Sequence, residues 1–249
     1  MLLEGKTAVI TGAGSPGGIG RATARLFAEQ GARVALIDFN KTDLADARKE
    51  FTSPHNVYDC DVSDRVQARA TINQIAEDFG QIDILINNAG IVHSTLIEDI
   101  DEAEFDQVID TNVKGNFMIA QATIPHMRNL GHGAIVCVSS IAGQLGGGVF
   151  GRSHYATSKA GVMGLAKALA RELAPEGIRV NAVAPGTLDN DFTKGRMTDE
   201  IKAKIASNVP MGRLGTSEEL ANACLFLASD MSSYITGATL DVNGGLFIH

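Results

Sequence analysis

Tyr155 and Lys159 lie four residues apart at the start of an apolar-striped helical run, Tyr155–Leu173. That spacing puts both side chains on one face of a helix. A phenol ordinarily loses its proton near pH 10, and a neighbouring ammonium favours the phenolate. The pair is suited to giving or taking a proton near neutrality. Alone, the spacing is common and usually marks a solvated helix pair. Here it follows Ser139-Ser140, which close the strand-like run AIVCVSS. A second group lies near the amino end. Glycines 12, 14, 17, 18 and 20 follow the β-branched run TAVIT directly. Glycine lets a backbone turn sharply and approach a diphosphate, and the next helix adds N–H groups and a positive dipole. A tight strand-to-helix turn would need such glycines too. A P-loop is excluded, because no Lys-Ser/Thr follows them.

These residues need a frame, and the chain alternates short β-branched runs with longer helical ones. After Thr7–Thr11 comes a helix through RATARLFAEQ, ended by Gly31, then the strand Arg33–Asp38. Lys41–Glu50 reads as a helix, Asn56–Val62 as a third strand, and Ser63 as the cap of a helix running to Phe79. The strand IDILINNAG, a helix near Phe105–Leu130, the strand AIVCVSS and the Tyr155–Ala174 helix follow. Then come IRVNAVAPG, a helical region through Ser207, a Ser217–Ala228 helix and TLDVNGG. Val34–Ile37, Ile84–Ile86 and Ile135–Val138 are apolar on both faces, as parallel strands covered by helices must be. The expected fold is α/β, a Rossmann-type doubly wound parallel sheet of about seven strands with helices on both faces, in one domain over 1–249.

In that frame the candidate residues fall at strand ends. Asp38 ends the second strand 18 residues beyond Gly20, near the spacing of a dinucleotide-binding acidic residue. A carboxylate there accepts hydrogen bonds from both ribose hydroxyls and repels a 2′-phosphate, so NAD is favoured over NADP. Phe39 follows it. Asp61, with Val62, ends the third strand in the same manner and can meet the adenine edge. Asn87-Asn88-Ala89-Gly90 ends the fourth strand and Pro185-Gly186 the sixth.

Composition agrees with an enzyme of small molecules. The 249 residues include 27 glycines and are 45% hydrophobic, and that apolar content excludes disorder. Twenty-one Lys+Arg against 29 Asp+Glu leave a net charge of −8 without a basic run, so neither nucleic acid nor an anionic membrane is an expected partner. No apolar run approaches the ~18 residues of a membrane span. Cys60, Cys137 and Cys224 are far apart and odd in number, which suits buried thiols in a reducing cytoplasm. The start, MLLEGKTAVITG, has no signal-peptide pattern. The six histidines form no HxxxH or HExxH pair, so no metal is expected.

Thr11–Gly20, NNAG (87–90), Asn112 in DTNVKGNF, Ser139-Ser140, YATSK (155–159), APG (184–186) and NGG (243–245) occur together and in order. The chain thereby resembles the short-chain dehydrogenase/reductase superfamily, in its single-domain form of about 250 residues, over essentially its whole length. The resemblance implies that Tyr155 is the general acid/base and that Ser140 holds the same substrate oxygen. It implies that Lys159 binds the nicotinamide ribose and depresses the Tyr155 pKa, and that Asn112 holds a water in a proton relay from Lys159. Gly12, Ser15, Gly18, Ile19, Gly20, Asn88, Ala89 and Gly90 would line the cofactor, with Pro185, Gly186 and Leu188 along the nicotinamide. The family carries hydride between a nicotinamide and a substrate carbon without a metal, commonly as homodimers or homotetramers. Here the helices around Asn112–Met127 and Tyr155–Leu173 would build the dimer face.

Three departures stand out. Two extra residues, most simply Pro16 and Gly17, separate Gly12 from Gly18-Ile19-Gly20 relative to the family's TGxxxGxG. The glycine-rich stretch between Ser140 and Tyr155 is longer by about two residues. Asn190 stands where relatives often carry a threonine. Gln144, Phe150 and His154 are candidate substrate contacts by position, with His93 nearby, and Met197–Ser207 resembles a substrate lid whose Lys202 and Lys204 can attract an acidic substrate. The leading expectation is an NAD(H)-dependent oxidoreductase interconverting a secondary alcohol and a ketone. A 3-oxoacyl-thioester reductase is the alternative; that activity usually uses NADPH, against which Asp38 argues. Outside the enzymes, a nucleotide-sensing or scaffold protein on this fold is disfavoured by the presence of Asn112, Ser140, Tyr155 and Lys159 together. Sugars, polyols, hydroxy acids, steroids and small ketones all stay open as substrates.

Overall fold

The computed structural model describes residues 1–148, 150–193, 195 and 197–248. The β-branched runs become the strands β1 (Thr7–Thr11), β2 (Arg33–Asp38), β3 (Asn56–Asp59), β4 (Ile84–Asn87), β5 (Gly133–Val138), β6 (Ile178–Pro185) and β7 (Thr239–Val242). They form one parallel seven-stranded sheet in the order β3-β2-β1-β4-β5-β6-β7. The helices among the described residues are α1 (Ile19–Glu29), α2 (Lys41–Glu50), α3 (Arg65–Phe79), α4 (Glu102–Ile109), α5 (Asn116–Leu130), the short α6 (Ala142–Leu145), α7 (Ser153–Leu173), α8 (Asp199–Ala206) and α9 (Ser217–Ala228). None is long and apolar enough to cross a membrane.

Successive strand residues point to opposite faces, so each strand feeds two cores. On one face Val9, Ile37, Leu85, Ile135 and Val180 pack with Ile72, Ile75, Ile119, Val162 and Leu169 of α3, α5 and α7. On the other, Ile10, Leu36, Ile86, Val136 and Val183 pack with Phe27, Leu44, Leu220 and Cys224 of α1, α2 and α9. Burying each large side chain contributes about 1.5–3 kcal/mol, which is why the doubly apolar strands commit to the sheet interior. The doubly wound α/β architecture is the one expected from the sequence.

Several boundaries differ from the expected ones. β3 ends at Asp59, so Asp61 lies in the following turn, where its Oδ1 accepts from Ser63 N (2.9 Å) and Oγ (2.7 Å). Such an Asx turn competes with strand pairing. Asp64, not Ser63, caps α3, accepting from Val66 N and Gln67 N. The expected single helix near Phe105–Leu130 starts at Glu102 and is interrupted by a wider π-type turn, Asp110–Gly115. α7 begins two residues before Tyr155.

At the amino edge of the sheet Asp83 is buried. It accepts from Thr7 N (2.8 Å), Gln81 Nε2 (2.8 Å) and His132 Nε2 (2.9 Å), with Lys6 Nζ at 3.3 Å. Burial alone would raise its carboxyl pKa, but these hydrogen bonds and the Lys6 charge outweigh it, and the net shift is downward. The stability this gives is therefore complete above the unfolded value near 4, and is lost as pH falls through the lower folded value. Asp83→Ala is expected to lower unfolding free energy by about 2–4 kcal/mol in denaturant titrations at pH 7, since it strands the Thr7 N–H. The deficit should shrink toward pH 3.

Candidate cofactor and active site

The strand order reverses between β1 and β4, and the chain leaving each turns away to open a crevice at their carboxyl ends. Side chains fix its walls. Thr11 Oγ1 accepts from Asn88 N and Ala89 N at 3.0 Å, while Asn88 Nδ2 donates to the Thr11 and Gly12 carbonyls at 2.9 Å. Gly12 has φ of +62°, and a Cβ there would stand 2.8 Å from Ala89 Cα. A Cβ on Gly20 would run into the Gly12 carbonyl. Both glycines are thus needed to press α1 against the turn. Asn88 spends its amide hydrogens on the backbone, so its side chain shapes the crevice rather than offering donors to a ligand.

The crevice fits the diphosphate of a dinucleotide. α2, α3 and α9 have side-chain caps, but α1 is preceded by Gly18, which caps nothing, and has no acidic residue in its first turn. Its first N–H groups and dipole are left for an anion. Ser15, Gly18 and Ile19 surround that end. At the tip of β2, Asp38 Oδ2 accepts from Gly14 N (2.8 Å), and Oδ1 from Phe39 N (2.8 Å) and Asn40 N (3.1 Å). Phe39 is exposed beyond it and Val62 is buried beneath Gly115. Pro185 and Gly186 end β6 and join its neighbours, through Ile141 N to the Pro185 carbonyl (3.1 Å) and Gly186 N to the Val242 carbonyl (3.0 Å). Leu188 is buried in the α1-side core and pairs with Gly215.

Sequence reasoning passed over Arg21. It is fully buried behind the glycine turn, donating through Nε to Ala13 O (3.1 Å), through one amino group to Gly14 O and Asp43 O, and through the other to Glu50 Oε2 (2.8 Å). It ties the turn to α2. An arginine in the first turn of a helix carries no sequence sign of such burial.

The candidate catalytic residues meet at the end of β5. Ser139 Oγ donates to the Lys159 carbonyl (2.7 Å), anchoring α7 to the strand. Ser140 Oγ accepts from Ala142 N (3.1 Å) and lies close enough to the buried Tyr155 phenol to affect its proton affinity. Lys159 Nζ donates to the Val138 carbonyl (2.9 Å) and lies 5.8 Å from the centre of the Tyr155 ring. A Cβ on Gly90 would lie 3.3 Å from that Nζ and 3.1 Å from Asn112 Oδ1, so Gly90, Ala89, Asn112 and Lys159 converge.

With no dinucleotide bound, burial pushes the Tyr155 phenol up to about 12, partly opposed by Ser140. Burial also lowers the Lys159 ammonium to about 8. Both groups are out of water, and loss of solvation disfavours the charged form of each. Asn112 also has unexpected ties. Its Oδ1 accepts from Ile91 N (2.8 Å), and its Nδ2 donates to Ile91 O (2.9 Å) and Ser158 Oγ (3.0 Å). Its carbonyl accepts from Asn116 Nδ2 (2.8 Å).

The substrate-side candidates divide. His154 is buried, with Nε2 3.0 Å from Glu104 Oε1 of α4, and it borders a cavity of about 330 Å³ with Ile97, Phe105 and Thr157. Thr95 Oγ1 donates to the same carboxylate (3.0 Å), and His93 lies 3.9 Å from it. Gln144 Nε2 donates to Asp241 Oδ1 (2.9 Å), and the Phe150 carbonyl accepts from Ser94 Oγ (2.8 Å). Val149, in the same loop, lies outside the described residues. Lys202 pairs with Asp189 at 2.7 Å, so its charge is not free for an acidic substrate. Asn190 Oδ1 accepts from Phe192 N (3.1 Å) and its Nδ2 reaches Ser217 Oγ at 3.4 Å.

Residues 12–247 match the family described as enoyl-(acyl carrier protein) reductase. The chain is 47% identical, over the full length of both proteins, to an uncharacterized short-chain type dehydrogenase/reductase of Sinorhizobium fredii. It is 43% and 40% identical, again over both full lengths, to the 3-oxoacyl-[acyl-carrier-protein] reductases of Thermotoga maritima and Escherichia coli. With its fold and site, the chain belongs to the short-chain dehydrogenase/reductase superfamily. It is an NAD(P)-dependent oxidoreductase.

The buried ammonium gives a test. A folded pKa below the unfolded one means that wild-type stability rises with pH between about 8 and 10.5. Lys159→Met is expected to lose turnover and yet to melt above the wild type at pH 7. The difference should shrink as pH is raised through that window, as followed by thermal unfolding at several pH values.

Proposed function

We propose that the protein interconverts a secondary alcohol and a ketone with NAD(H), using Tyr155 as general acid/base. The carrying observation is the buried Tyr155 side chain beside Ser140 at the end of β5, with Lys159 one turn further along α7. A bound nicotinamide dinucleotide supplies the hydride carrier. The chain's own residues do the rest. The Ser140 and Tyr155 hydroxyls hold the substrate oxygen between them. Tyr155, kept protonated by burial, gives its proton to a carbonyl oxygen, and takes one back in the other direction. Lys159 would hold the ribose, and Asn112 a relay water. Gly12, Ser15, Gly18, Ile19, Gly20, Ala89, Gly90, Pro185 and Gly186 border the cofactor crevice, with Asp38 at its adenosine end. Supporting NAD over NADP, the Asp38 carboxylate is fixed beside Gly14, where a 2′-phosphate would meet like charge.

A second reading, reduction of a 3-oxoacyl thioester, is favoured by the names of the relatives at 43% and 40% identity. Three buried, free cysteines support a cytoplasmic setting. Exposed Phe105 and Phe117 on α4 and α5 support a homodimer or homotetramer.

The test is an absorbance assay over a secondary-alcohol panel with NAD and NADP in parallel, and over a 3-oxoacyl thioester with both reduced forms. The expected result is alcohol turnover with kcat/KM at least about tenfold higher for NAD. Preference for NADPH overturns the cofactor assignment, and best turnover on the thioester establishes the second reading.

A further inference from the structure

The two residues that lengthen the first turn, Pro16 and Gly17, are held from three directions. Arg25 of α1 donates to the Pro16 carbonyl at 3.1 Å. Ser217, in the first turn of α9, donates to the Gly17 carbonyl at 2.9 Å. From the segment after β6, Asp191 Oδ2 accepts from Gly17 N at 2.8 Å and from Ser15 Oγ at 3.0 Å. A Cβ on Gly17 would stand 2.6 Å from that same oxygen. Gly17 is outside the left-handed region, so an alanine there would disturb the contact rather than strain the backbone.

The position of this contact matters. β1 and β6 are three strand spacings apart in the sheet, or about 14 Å. A bond between the turn after β1 and the segment after β6 therefore crosses the carboxyl ends of β4 and β5, where Asn88 and Ser140 stand. A cavity of about 470 Å³ lies beside it, lined by Gly17, Asp189, Asp191, Lys202 and Ser217 among others. The Lys202–Asp189 ion pair ties α8 to the same segment two residues before Asp191.

We infer that Asp191, with Ser15 and Gly17 of the lengthened turn, forms a strap across the crevice that retains the bound dinucleotide. Asp191 is a positioning residue, acting through the turn. The inference rests on the dinucleotide reading above. An opposite role for the same contact is that the carboxylate stands in the diphosphate's place and must be displaced by it. The strap is favoured because Asp191 takes its hydrogen bonds from Ser15 and Gly17. No side chain caps the first N–H groups of α1, so they stay available to the anion.

The test is stopped-flow and equilibrium fluorescence of NADH binding, with NADPH in parallel, on wild type, Asp191→Asn, Gly17→Ala and the double variant. Thermal unfolding without cofactor is the control. Each single variant is expected to raise the dissociation rate about three- to tenfold, as loss of a charge-assisted hydrogen bond implies. The association rate should rise with it and Kd should change less, because the contact is already made in the cofactor-free protein. The double variant should release the dinucleotide no faster than the faster single variant. An unchanged or slower dissociation rate, or additive increases, would overturn the strap. Wild-type protein that binds neither dinucleotide overturns the underlying reading, and the strap with it.

Discussion

The hydrogen-bonded junction between β1 and β4 is the constraint on which the rest of the site depends. A parallel sheet that reverses its strand order there opens a crevice. The crevice keeps its shape only because Thr11 and Asn88 lock the two strand ends together. Asn88 satisfies the carbonyls at the point where the chain leaves β1. That lets Gly12 swing into a positive φ and brings the first turn of α1 against it. Asp38 reaches Gly14 from the next strand, and Arg21 closes the turn from behind. Replacing any one of these would move the anion-binding end of α1 relative to the end of β5.

The reacting side of the crevice is organised by dehydration. Tyr155 and Lys159 are both buried, and burial drives their proton affinities in opposite directions. The phenol holds its proton, while the ammonium becomes easier to deprotonate. A buried ammonium is unfavourable for folding, and a single carbonyl, Val138, offsets part of that cost. Such strain is expected at a functional site. Glu104 of α4 meets His154 in the first turn of α7, and Ser139 anchors its second turn to β5. The positions of Tyr155 and Lys159 are thus fixed from two sides.

Much of this was legible in the chain. Strands apolar on both faces admit few alternatives to a helix-covered parallel sheet, and Val34–Ile37, Ile84–Ile86 and Ile135–Val138 are of that kind. Glycines after the first strand, Asp38 at the end of the second and Ser140 at the end of the fifth follow from strand ends meeting at one edge. Other features were hidden for physical reasons. The π-type turn at Asp110–Gly115 barely disturbs a helical apolar pattern. Asp61 reads equally as a strand end or as an Asx turn. His154 and Glu104 are 50 positions apart, so only the fold shows that they meet. The burial that shifts Tyr155 and Lys159 comes from packing, which spacing does not reveal.

Tyr155 is the group on which the enzymatic account turns, and Tyr155→Phe removes one oxygen while keeping the ring that packs in α7. The decisive measurement sets the turnover of this variant beside its dinucleotide affinity. The account predicts wild-type affinity, with turnover about 10²–10⁴-fold lower. Turnover within a few fold of the wild type would contradict it.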